Sequence, residues 1–133
     1  TAIERGYMLS LLKTAKSYLD RGFFSGIRIS TRPDCINEEI LTLLKEYGVT
    51  SIELGCQSMD DEVLRLNERG HTAKDSENAC RLIKSFGFEL GVQMMTGLYG
   101  ASPEDDICTA EELIKLSPAT VRIYPTVMKL LSR

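Results

Sequence analysis

Polar side chains recur where the short apolar runs of this chain end: Ser30, Thr31 and Arg32; Glu53 and Gln57; Gln93 and Thr96; Arg122 and Tyr124. A rim of hydroxyls, amides and one or two charges suits a ligand with sugar hydroxyls and a mixed-charge end, because each such group needs a fixed donor or acceptor once water is excluded. The plainer explanation is that strand ends are polar in most α/β proteins, since the chain emerges into water there. Gly55 and Gly97 follow two of the runs, where a glycine either lets backbone approach a ligand or makes a tight turn.

Other chemistries find less support. There is no G-x-G-x-x-G and no phosphate loop, so nothing points to a nucleotide di- or triphosphate. The only histidine, His71, precedes a helix start and reads as a surface or capping residue. Cys35, Cys56, Cys80 and Cys108 show no C-x-x-C spacing, which leaves no zinc ribbon or iron-sulfur motif and suggests small buried or half-buried thiols. Asp60, Asp61 and Glu62 are most simply an acidic helix start.

The elements that would position the rim alternate. Ser51-Ile-Glu-Leu-Gly55 reads as a strand of a parallel sheet, with Gln57 just past its end. Before it come an amphipathic helix over 7–20, with Met8, Leu11, Leu12, Ala15, Tyr18 and Leu19 inward, a strand over 26–31, and a helix capped by Asn37 and stopped by Gly48. After it come a short helix over 60–67, a helix opened by the capping box Thr72-Ala-Lys-Asp75, and a strand over 88–96. Ser102-Pro-Glu-Asp105 opens the next helix, with Ile107, Ala110, Leu113 and Ile114 as its core face. A strand over 120–124 follows, and Val127 to Arg133 could begin a further helix. Helix-length connections imply parallel strands with right-handed crossovers, in an open sheet or part of a barrel.

At 133 residues the chain is one domain by size. With 43% hydrophobic and 26% charged residues it is a globular composition, and a net charge of -3 gives no basic footprint for nucleic acid. No apolar run approaches a membrane span and the start is not a signal peptide, so a cytoplasmic protein is expected.

Five blocks in order, Ile29-Ser-Thr-Arg-Pro-Asp-Cys35, Glu53-Leu-Gly-Cys-Gln-Ser58, Asn67-Glu-Arg-Gly-His71, Met94-Met-Thr-Gly-Leu98 and Arg122-Ile-Tyr-Pro-Thr126, resemble radical S-adenosylmethionine (SAM) enzymes. The likeness is to the branch containing the radical SAM domain of the Elongator catalytic subunit and its short bacterial relatives, and more distantly to oxygen-independent coproporphyrinogen oxidase. It implies an α/β fold, the C-terminal portion of a partial (β/α)6 barrel running from the helix after strand 2 to strand 6. It also implies that residues 1–133 lack the C-x-x-x-C-x-x-C loop that binds a [4Fe-4S] cluster in the family, so that this segment alone neither holds the cluster nor generates a radical.

By the same resemblance, Gln57 matches the glutamine that hydrogen-bonds the SAM ribose and Arg69 the arginine that meets the methionine carboxylate. Ser30 stands where many relatives carry a glutamate, and Gln93 where others place a ribose-binding side chain. Gly97, Leu98 and Tyr124 would lie beside the adenine. The intact protein would cleave SAM to a 5'-deoxyadenosyl radical, with a tRNA wobble uridine as the substrate suggested by the branch. The alternative is a catalytically inactive open α/β module that forms a homodimer through exposed sheet edges.

Overall fold

β2 (Val49–Gln57) is the longest of the four strands among the described residues and lies inside a parallel sheet ordered β1-β2-β3-β4, with β1 (Ile27–Thr31), β3 (Glu89–Thr96) and β4 (Thr120–Pro125). The computed structural model describes residues 3–127. Around the strands run α1 (Arg5–Asp20), a 3-10 turn (Pro33–Cys35), α2 (Glu38–Glu46), α3 (Asp61–Leu66), α4 (Ala73–Ser85) and α5 (Pro103–Lys115). Apart from Val127, the helix anticipated over 127–133 lies outside the described residues. Sequential strands that are also spatial neighbours put their right-handed crossovers on one face, so the sheet is covered on one side and open on the other. Four neighbouring parallel strands of this kind are an open sheet by themselves and equally a segment of a barrel wall.

The covered face carries Ile52, Leu54 and Cys56 from β2 and Leu90, Val92 and Met94 from β3, packed with Leu41 and Leu44 of α2, Ala79, Cys80 and Ile83 of α4 and Leu113 of α5. Each large side chain buried there contributes about 1.5–3 kcal/mol. The expected stripes are too wide on the outer helices. In α1 only Met8 and Leu12 are buried while Leu11 and Tyr18 are exposed, and in α5 Ile107 and Ile114 are 60% and 63% exposed. α2 buries Leu41 and Leu44, and Ile40, Leu43 and Tyr47 only flank them.

The helix starts form as the sequence indicates. Asn37 caps α2, and full capping boxes open α4 (Thr72 with Asp75) and α5 (Ser102 with Asp105). The hydrogen bonds from the Thr72 and Ser102 backbone and hydroxyl groups hold both aspartates below the ordinary carboxylate value. Ser102→Ala should therefore lower the unfolding free energy by about 1 kcal/mol in urea denaturation. No change would mean that the packing of α5, and not its cap, fixes where the helix begins.

Candidate functional site

The open face alternates out of phase with the core, so Arg28 and Ser30, Ser51, Glu53 and Gly55, Glu89, Gly91 and Gln93, and Arg122 and Tyr124 share it by register. Thr31, anticipated in the rim, pairs with Leu54 and belongs to the covered face. Glu53 sits in mid-strand, away from the strand end, and is only 3% exposed. Two arginines from the edge strands lie over the centre. Arg28 donates to the Ser51 hydroxyl (3.1 Å) and to Glu89 (3.1 Å). From the other edge, Arg122 reaches across β3 to Glu53 (3.4 Å) and also donates to the Tyr124 hydroxyl (3.1 Å). The Ser30 hydroxyl donates to Glu53 at 3.5 Å, so Ser30 and Tyr124 belong to one network through Glu53 and Arg122.

Gln57 closes β2 from within the strand and does not lie past it, in a bulge where the ladder to β3 shifts register. Its φ is +68, and the Ser58 amide donates to the Cys56 carbonyl across it at 2.8 Å. That is a γ-turn of the strained, positive-φ kind, on a residue with a side chain. The turn folds the Gln57 amide back over Gly55, where a Cβ would lie 2.7 Å from Nε2. The Gln57 side-chain oxygen accepts from Gln93 Nε2 at 3.4 Å, so the two glutamines anticipated together are together.

Arg69 stands in the loop after α3. Its Nε is buried without a partner, and burial, followed by the nearness of Arg32, holds the guanidinium below its ordinary value. Arg32 is itself forked onto Asp34 (2.9 and 2.7 Å), so that aspartate's two oxygens are engaged. The same loop carries Glu68 and Gly70 at positive φ and is tied to the loop after β3, because Asn67 donates to the Tyr99 carbonyl (2.8 Å) and accepts from its amide (3.2 Å). Gly97, at φ +70, donates to Asp106 at 3.0 Å, and Leu98 is buried behind it.

His71 departs from expectation. It is 6% exposed, neither a cap nor a surface residue, and its Nε2 meets the Cys56 carbonyl at 3.1 Å while Nδ1 has no partner. Sequence spacing carries no signal for that contact. Asp34 and Asn67 were also missed as site residues. Both are Asx residues at turns, where a local role is the default.

A model of the radical SAM superfamily matches residues 4–113. The chain belongs to the radical SAM superfamily. It is 33% identical over 106 residues to a tRNA uridine(34) acetyltransferase of Dehalococcoides mccartyi, covering 77% of this chain and 23% of that protein. To Elongator complex protein 3 of Mus musculus it is 33% identical over 128 residues, covering 92% and 23%. The solved structure of Methanocaldococcus infernus Elp3 with an N-terminal deletion matches at a TM-score of 0.73 and 34% identity, over 77% of this chain and 25% of that one. The chain thus spans about a quarter of the length of these relatives. Their likeness agrees with a parallel α/β sheet as part of a barrel-like radical SAM fold.

The family implies SAM and a [4Fe-4S] cluster. For the cluster, the residues described do not fit. No group of three or more metal-ligating side chains comes together among them, Cys35 and Cys108 stand apart, and the hydrogen bond with Cys56 together with burial pushes the Cys80 thiol up. For SAM they fit better, since the buried, unpartnered Arg69 Nε and the amide pair Gln57 and Gln93 offer unfilled donors and acceptors. None of the described helices is long and apolar enough to cross a membrane.

Proposed function

We propose that this chain is the SAM-binding part of a cytoplasmic radical SAM protein that modifies a tRNA uridine, with the cluster-binding cysteine loop outside these 133 residues. The observation that carries the reading is the strained turn at Gln57, which presents an amide beside Gln93 at the end of β2. A non-glycine residue at positive φ persists where the surroundings over-determine it, and such strain gathers at ligand clamps.

In this reading Gln57 and Gln93 hold the ribose hydroxyls, each amide matching a donor and an acceptor. Arg69 meets the methionine carboxylate through a charge-assisted pair. Ser30, Gly97, Leu98 and Tyr124 border the ligand, with Gly97 and Leu98 offering backbone and apolar surface toward the adenine. SAM, cleaved at a reduced cluster, would supply a 5'-deoxyadenosyl radical for hydrogen abstraction. The tRNA assignment rests on what the relatives named above act on.

Calorimetric titration with SAM and S-adenosylhomocysteine should show binding that Gln57→Ala weakens about tenfold, the value of one hydrogen bond lost from a buried site. Absence of binding to the wild type, or equal affinity in the variant, would remove the ribose assignment. In the intact protein, 5'-deoxyadenosine formation should respond to added tRNA. Indifference to tRNA would leave the family reading and withdraw the substrate.

A further inference from the structure

The turn at Gln57 is held from both sides. On one, Thr109 of α5, almost wholly buried, accepts from the Met59 amide at 3.1 Å and shares a hydrogen bond with the Ser58 hydroxyl at 3.3 Å. On the other, the Cys56 carbonyl already receives the Ser58 amide and also meets His71 Nε2. A carbonyl can only accept, so Nε2 carries the proton and donates. The imidazole therefore grips the one carbonyl that closes the strained turn, two residues along the loop from Arg69.

We infer that His71 is a positioning residue for Gln57: its Nε2–H fixes the Cys56 carbonyl, and with it the positive-φ turn that lays the Gln57 amide over Gly55 and against Gln93. One loop then carries Arg69 and, through His71, sets Gln57, while Gln93 comes from β3. A left-handed conformation on a residue with a Cβ is unfavourable by itself, so it must be imposed by surrounding bonds. A buried ring that donates to that carbonyl does so without touching the ligand. The inference rests on the SAM reading, because the ligand is the one that Gln57 would hold.

The test is a cycle of variants read by two measurements. His71→Phe keeps the ring and removes the donor; His71→Gln keeps an N–H donor. S-adenosylhomocysteine affinity should fall about tenfold in the Phe variant and recover to within about threefold of wild type in the Gln variant. In a Gln57→Ala background His71→Phe should change affinity by less than about twofold, since its effect passes through Gln57. Equal losses in the Phe and Gln variants, no loss in the Phe variant, or losses that multiply in the double variant would overturn the inference in favour of a merely structural histidine. Should His71→Phe fail to fold, His71→Asn, whose amide stops short of the Cys56 carbonyl, takes its place. The second measurement, hydrogen exchange of the Ser58 amide, needs no ligand. Faster exchange in the Phe variant than in wild type supports the grip on the turn, and unchanged exchange overturns it. A wild type that binds no S-adenosylhomocysteine sinks the SAM reading itself, and the Ser58 amide then decides alone whether His71 holds the turn.

Discussion

Arg69→Leu is expected to bind SAM about 30-fold more weakly than wild type, because a charge-assisted hydrogen bond is worth roughly 1.5–3 kcal/mol. The same variant should be more stable. Arg69 keeps a buried Nε without a partner and stands near a second guanidinium, Arg32, whose fork onto Asp34 occupies that carboxylate's two oxygens. Replacing a half-buried, poorly matched cation by an apolar side chain should raise the unfolding free energy by on the order of 1 kcal/mol. Opposite signs for affinity and stability are what a residue held ready for an absent anion would give. Arg69→Lys should not restore binding, since a compact ammonium lacks the planar fork that matches a carboxylate. Titration calorimetry and urea denaturation on the same two variants check it. A variant that loses stability, or one that binds as wild type does, would show that Arg69 serves the fold.

How much of this was legible in the sequence depends on how local each feature is. The capping boxes at Thr72 and Ser102 lie within four consecutive residues, and both form as read. The polar residues at the strand ends were legible too, and Ser30, Glu53, Gln93, Arg122 and Tyr124 do lie apart from the core, whereas Thr31 and Thr96 fall in phase with the covered face. Helical periodicity finds a stripe but not the width of the sheet beneath it. Ile107 and Ile114 of α5 belong to the stripe, yet they lie beyond what the sheet edge covers. Cys108, anticipated as buried or half-buried, is exposed on the same helix.

Gln57 and His71 show where sequence reasoning stops. Residue rules give positive φ to glycine and asparagine, so a glutamine inside a strand bulge carries no warning of its turn. His71 is buried because of a carbonyl fifteen residues earlier in the chain, a pairing that only the folded arrangement of β2 and the loop after α3 creates. The resemblance implied roles for Gln57 and Arg69 and gave none to His71, although that histidine ends one of its five blocks.

Gly55→Ala should reproduce the binding defect of Gln57→Ala without unfolding the protein. The added Cβ would lie 2.7 Å from Gln57 Nε2, too close to keep, while the nearest backbone atom, the Thr31 carbonyl oxygen, is an ordinary 3.7 Å away. What must move is the end of a flexible side chain, so the backbone of β2 can stay and the amide is displaced from Gln93. Gly55 is not at positive φ among the described residues, and alanine there restricts the unfolded chain, which commonly adds about 0.4–1 kcal/mol. The expected outcome is S-adenosylhomocysteine affinity reduced about tenfold, a urea midpoint no lower than wild type, and little further loss when Gln57→Ala is added. Unchanged affinity would mean that the amide finds the ligand from another rotamer, and the glycine would then answer only to the packing of the strand. A loss that Gln57→Ala deepens by a further tenfold would assign Gly55 its own contact with the ligand, through the backbone that a glycine leaves open.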